Sequence, residues 1–342
     1  MTDEIHQHLT AMRGGSSVEK IQTIQLLWSG YGEIARYAFK NTNDTVIVKS
    51  VTPPQTPSHP RGWQSAVSHQ RKLASYSNEQ IFYRDFSQLT DATCRTPRYY
   101  SSGESGDSRW VVMEDLDAAG FDGRHQSADK QLASKGIHWL AGFHARYMRT
   151  PTKRLWPVGT YWHFATRQEE WRAMPDSKLK QHARAIDSVL NGARFQTLLH
   201  GDAKLANFCF VSKSPHHREE ADIAAVDFQY VGSGCGVKDV MYFLGSCFDA
   251  RQLYQHAPAL IDEYFTALRS ALTDSTLNTK PFSPHQMNAL EAEWRRLYCF
   301  AVADFERFLA GWSPEHRKRN AYSAKLTDMA CEIIKNGSPH CP

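Results

Sequence analysis

LLHGDAKLANFCF, Leu198 to Phe210, and the run after it, AAVDFQYVG, Ala224 to Gly232, decide how the rest of the chain is read. Asp202 and Asn207 lie in the first, and Asp227 follows the apolar start of the second. Two short apolar runs of this kind make adjoining strands, which would deliver an acid, an amide and a second acid to one place. Such a set suits phosphoryl transfer: one carboxylate orients a hydroxyl, while the amide and the other carboxylate hold metal against phosphates. A polar insertion, SKSPHHREEAD (212–222), separates the two runs.

Upstream, IQTIQLLW (21–28), IARYAFK (34–40) and TVIVKSV (45–51) are short β-rich runs punctuated by the turn formers SGYGE and NTND. They predict an antiparallel meander. Gly30 and Gly32 sit in its first connection, where bare backbone can approach phosphates, or where the chain simply turns. Lys49 interrupts an apolar, β-branched strand. It either faces solvent or reaches toward phosphates with a carboxylate to hold it. The proline-rich VTPPQTPSHPRGW (51–63) forms no regular element. A helix is predicted over 65–89, with Ile81, Phe82, Phe86 and Leu89 as its buried stripe. Glu79 borders that stripe, as a solvated charge or as the partner of Lys49.

RYY (98–100) and RWVVMEDL (109–116) flank the turn SSGESGDS, and Trp110–Met113 is apolar throughout, like a central strand. Where it breaks, at Glu114-Asp115-Leu116, we place the boundary between a small β-rich lobe (1–115) and a larger, mainly helical one (116–342). The first twenty residues read as a polar lead-in.

The second lobe opens with a helix capped by Ser127 and striped by Leu132, Trp139, Leu140, Phe143 and Tyr147. His144 beside that stripe reads as a core histidine bonded to backbone. Leu179, Ala183, Ile186 and Leu190 predict another helix, stopped at Asn191-Gly192. Three more follow, over 251–272 with Pro258 breaking its first turns, 284–312 with Ser283-Pro284 as N-cap and N1, and 314–335. The basic HRKR (316–319) is assigned to the solvated face of the last. Trp156, Trp162 and Trp171 in LWPVGTYWHFATRQEEW (155–171) line either a pocket or the core.

Bulk properties bound the class. The chain has 342 residues, 41% hydrophobic and 22% charged, an ordinary soluble composition. A net charge of +4 gives no nucleic-acid footprint. The polar start MTDEIHQHLT predicts no secretory signal, and the absence of a long apolar run predicts no membrane span. Seven scattered cysteines, none as C-x-x-C, fit a reducing compartment, and a cytoplasmic location is expected.

A meander with a lysine strand, a helix with a glutamate, an apolar strand ending in Glu-Asp-Leu, then HGDxxxxN and Asp-Phe form an ordered set. In it this chain resembles the aminoglycoside phosphotransferase and choline kinase superfamily, and within it the ecdysteroid kinase-like group. The residues carrying this are SYSNEQIFY (75–83), VVMEDLDAAGF (111–121), LAGFHA (140–145), HGDAKLANFCF (200–210) and VDFQ (226–229). The resemblance implies an α+β, bilobal protein-kinase-like fold, with an antiparallel sheet and one helix in the N-terminal lobe. It implies an ATP- and Mg²⁺-dependent kinase acting on a hydroxyl-bearing small molecule, sterol-like, choline-like or another alcohol.

By position, Lys49 would contact the α/β-phosphates and Glu79 would hold it. The Gly30–Gly32 turn would cover the phosphates, and the backbone from Glu114 to Leu116 would bond the adenine edge. Asp202 would orient the acceptor hydroxyl, Asn207 and Asp227 would ligate Mg²⁺, and Asp239 would brace the loop. Three departures stand out: no full G-x-G-x-x-G, Gln229 in place of the glycine of D-F-G, and Lys204 two after Asp202. A cation at Lys204 would offset charge on the transferring group. A protein kinase is the same-chemistry rival, opposed by Gly201 where H-R-D has arginine. A silent nucleotide-binding pseudokinase is the other rival, opposed by the full set of site residues. Oligomeric state is left open.

Overall fold

A computed structural model describes residues 2–27, 30–42, 44–53, 66–212, 221–273 and 281–337. Trp28, most of the proline-rich loop and most of the polar insertion lie outside them. The expected lead-in is instead a helix, α1 (Thr2–Met12), followed directly by strand β1 (Val18–Leu26). Ile5 and Leu9, one turn apart, bury against Tyr37, Val46, Val48 and Val112. The spacing was in the sequence, but two apolar residues among polar ones are too weak a stripe to predict a helix.

β2 (Gly32–Phe39) and β3 (Thr45–Val51) complete the meander, and the helix α2 (Ala66–Asp85) follows. β4 (Tyr99–Ser105) and β5 (Ser108–Glu114) then join the sheet in the order β1-β2-β3-β5-β4. β3 lies between β2 and β5, antiparallel to both. Because side chains alternate along a strand, Val46 and Val48 pack under α1 while Ile47 and Lys49 face the other way. The N-terminal lobe thus holds two helices rather than one. α2 stops at Asp85; Leu89 falls in a separate 3₁₀ turn and is exposed, outside the stripe.

The helical lobe begins with α3 (Lys130–Arg146), capped by Asp129 rather than Ser127. α4 (Gln168–Ala173) and α5 (Lys178–Asn191) lead to strand β6 (Thr197–Leu199). The short strands β7 (Phe208–Phe210), β8 (Ile223–Ala225) and β9 (Gly232–Gly234) come next. β7 pairs with β8 and β6 with β9, both antiparallel, so the two focal runs do adjoin. α6 (Val237–Cys247), α7 (Ala250–Thr273), α8 (Pro284–Trp312) and α9 (Ala321–Lys335) close the lobe.

Ser283 and Gln286 form a capping box at the start of α8, with Pro284 inside it as expected. Pro258, by contrast, sits within α7 without ending it. It lies on the exposed face, where water can satisfy the carbonyl its missing N–H leaves free. The HRKR run precedes α9 rather than riding on it, because Asn320 is the N-cap. Lys318 is half-buried, its ammonium 3.9 Å from the centre of the Tyr242 ring.

Phe228 stacks on Phe82 of α2 at 4.1 Å and on Phe143 of α3 at 6.0 Å, so one aromatic column joins the lobes. Among the described residues no helix is long and apolar enough to cross a membrane. The six described cysteines are buried free thiols.

Candidate active site

The loop after β6 is held from behind. Asp239 of α6 accepts the backbone N–H groups of His200 at 2.6 Å and Gly201 at 3.0 Å. The ring of His144 reaches the same carboxylate at 3.2 Å and the Tyr264 hydroxyl at 2.8 Å. His144 is therefore a core histidine, as expected, but bonded to side chains rather than backbone. Gly201 has φ +82, and a Cβ there would lie 2.0 Å from the Tyr230 carbonyl oxygen. Only glycine fits, which excludes the arginine of H-R-D at this position. His200 donates from Nε2 to the Val226 carbonyl at 3.1 Å and accepts from the Asp202 N–H at 3.3 Å. Burial depresses its pKa, so the ring is neutral.

Asp202 emerges from this brace with both oxygens engaged. Oδ1 accepts from the Tyr242 hydroxyl at 3.0 Å. Oδ2 accepts from Lys204 at 2.9 Å and from the Asn207 amide at 3.2 Å. Asn207 also donates to the Asp202 carbonyl at 2.8 Å. With its N–H groups so used, Oδ1 is the atom of Asn207 that can ligate a cation.

Asp227 follows β8 in the left-handed region, φ 72, a strained setting for a non-glycine residue. Its Oδ1 accepts from Lys49 at 3.1 Å and from the Gln229 amide at 2.6 Å. Lys49 in turn contacts Glu79 at 2.7 Å. At 5% exposure Lys49 is no solvent-facing strand lysine, and Glu79, at 3%, is no solvated helix charge. Burial opposes the Lys49 charge, but Asp227 and Glu79 outweigh it and raise its pKa. Burial also works against Asp227, yet Lys49 and Lys204 hold its carboxyl down at about 2. Burial opposes the charge of Lys204 too, and Asp202 and Asp227 restore it, so its pKa is raised. An ionised carboxylate and an amide oxygen are hard donors that fit Mg²⁺, whose remaining positions phosphate oxygens and water can fill.

Gln229 connects this acid to α2. Its carbonyl oxygen accepts from Asn78 at 3.2 Å and from the Trp156 indole at 2.9 Å, while its side chain accepts from Ser75 at 3.1 Å.

Lys49, Glu79, Lys204, Asn207, Asp227 and Gln229 line one cleft of about 660 Å³, and Asp202 lies just behind its wall, bonded to Lys204. Ile24, Leu27, Ile47, Met113, Leu116 and Val226 make an apolar slot beside the connection between the lobes. Glu114 borders it, its carboxylate paired with Arg95 at 2.5 Å. Asp115, next along, is bound by Arg36 at 2.5 Å and Thr45 at 2.7 Å, fastening the connection to the sheet. Gly30 and Gly32 do not line the cleft. Gly32 answers a packing need: a Cβ there would lie 2.1 Å from the Ser50 carbonyl oxygen.

The sequence reading missed the cleft's other end, formed by Arg71, Tyr161, Arg167, Tyr230, Phe308 and Trp312. It also missed the Tyr242 bond to Asp202, although Tyr242 stands three after Asp239 on one face of α6. None of the flagged tryptophans lines the cleft. Trp162 is fully buried, Trp171 packs against the core, and Trp156 is spent on Gln229.

Comparison with known proteins bears out the fold, which is bilobal and kinase-like. Choline kinase from Cryptosporidium parvum Iowa II superposes with a TM-score of 0.53 at 11% identity, covering 98% of this chain and 97% of that one, a likeness of fold. An aminoglycoside-3'-phosphotransferase of type VIII matches at a TM-score of 0.43 and 14% identity over 85% of this chain and 98% of that one, too loosely to carry an argument. The ecdysteroid kinase-like family model matches residues 161–277, which include Asp202, Lys204, Asn207 and Asp227. No curated protein matches in sequence.

Proposed function

We propose that the protein is a small-molecule kinase that transfers the γ-phosphate of ATP to an alcohol. The observation carrying this is the convergence, in one cleft, of the Lys49–Glu79–Asp227 chain with Lys204 and Asn207, both bonded to Asp202. A phosphoryl donor lying between the two halves gives both a use.

The adenine occupies the apolar slot beside Glu114–Leu116, and Lys49, held by Glu79, meets the α/β-phosphates. Asn207 and Asp227 hold Mg²⁺, which when bound neutralises charge on the phosphate oxygens. Asp202 receives the acceptor hydroxyl by hydrogen bond, aligns it and takes its proton as the new P–O bond forms and the bond from the γ-phosphorus to the β,γ-bridging oxygen breaks, releasing ADP. Tyr242 fixes the carboxylate plane through Oδ1. Lys204 is shared between Asp202 and the incoming γ-phosphate, where its charge counts most in the transition state. The Gln229 bonds keep Asp227 turned into the cleft without an activation step.

The test is Mg²⁺-dependent ATP turnover over a panel of alcohols, with Asp202→Asn as control. ATP binding without turnover across the panel would favour a silent nucleotide-binding module.

A further inference from the structure

The end of the cleft beyond Asp202 is cationic and aromatic. Tyr161 meets Phe308 edge-on at 5.5 Å, and Trp312 stacks on Phe308 at 5.4 Å. The Arg167 guanidinium lies 5.0 Å over Phe308, bonded to Glu170 at 2.9 Å and to the Tyr161 carbonyl at 2.7 Å. Arg71 reaches across from α2 to the Thr166 carbonyl at 2.8 Å, next to Arg167 in sequence, and touches Ser68 only at 3.4 Å.

Arg71 is half-buried and has no carboxylate partner among the described residues. Burial and the neighbouring Arg167 lower the Arg71 pKa, and Glu170 and Glu169 only partly offset them. A guanidinium has five N–H donors in a planar fork, so Arg71 retains donors for an oxyanion. A cationic acceptor would meet like charge here.

We propose that the acceptor is an anionic alcohol, with a flat or apolar body carrying a carboxylate or phosphate. Its body lies against Tyr161, Phe308 and Trp312, its oxyanion is bound by Arg71 beside Arg167, and its hydroxyl reaches Asp202. This rests on the kinase reading for the hydroxyl, but the anion site stands on its own geometry.

Calorimetric titration with 2-naphthoate, 2-naphthyl phosphate and uncharged 2-naphthamide tests it, with and without a non-hydrolysable ATP analogue and Mg²⁺. At least one acid should bind tenfold or more tighter than the amide, with the analogue bound as well as without it; which acid leads identifies the oxyanion. Arg71→Gln should erase that preference, and Arg71→Lys, which keeps the charge and guards against misfolding, should retain part of it. Equal binding of all three probes overturns the proposal. So does an acid preference that the ATP analogue abolishes, since the probes would then be reporting the nucleotide phosphate site. Acid preference without any Mg²⁺-dependent binding of the analogue would sink the kinase reading and leave the anion site in place.

Discussion

Asp202 is the base in the proposed reaction, and its surroundings make that role separable from folding. Asp202→Asn keeps the shape and should retain ATP binding while lowering kcat by about 10²–10⁴-fold. Near-wild-type turnover in single-turnover assays would remove it as the base. Lys204→Ala should lower kcat by roughly a hundredfold with little change in ATP affinity, on the scale of other charge-stabilising groups. An unaltered kcat would return Lys204 to a supporting role.

Lys318 offers a pH test at the same scale. Burial pushes its ammonium down to about 7 from 10.5, with Asp202 opposing the drop. The Tyr242 face, 3.9 Å away, also favours the charged form. Because the folded state then binds fewer protons than the unfolded one, stability rises with pH between about 7 and 10.5. Below about 7 the penalty is complete. Lys318→Met should therefore be more stable than the parent at pH 6, with the gap closing toward pH 10. Parallel melting curves across that range would count against the assignment.

Among the elements, α2 has the widest reach. One of its faces carries Arg71, Ser75, Asn78 and Glu79, and each contacts something outside the helix. The buried Asn78 alone donates to the carbonyls of Gln229 and Val231 and accepts from the Trp156 backbone N–H. Asn78→Ala strips these groups of their partner and should cost about 2–4 kcal/mol in a denaturant melt. It should also raise the KM for ATP, since Gln229 positions Asp227. A stability loss with unchanged KM would show that the clamp does not reach the nucleotide.

Legibility in sequence followed the range of each signal. Lys49 in its strand and HGDAKLANFCF were readable because strand alternation and loop chemistry act over a few residues. Pro258 was misread because its effect depends on which face of α7 is exposed. Ser127 yielded to Asp129 because two capping-capable residues two positions apart offer no local criterion for choosing.

At the scale of the molecule, two lobes meet along the Phe82–Phe228 stack and the Lys49–Asp227 bond, so the cleft exists only when both are docked. Sequence by itself pointed to the bilobal plan and to Asp202, Asn207 and Asp227 as a set, because their chemistry is contained in a short stretch. The pairing of Lys49 with Glu79 came only from the resemblance, since 30 residues separate them. Only the tertiary structure assembled the aromatic and arginine-lined end of the cleft. Arg71, Tyr161, Arg167, Tyr230, Phe308 and Trp312 come from one helix of the first lobe, two loops and a helix of the second. A surface gathered from such distant segments has no period or spacing in the chain, because packing rather than local backbone chemistry brings its members together.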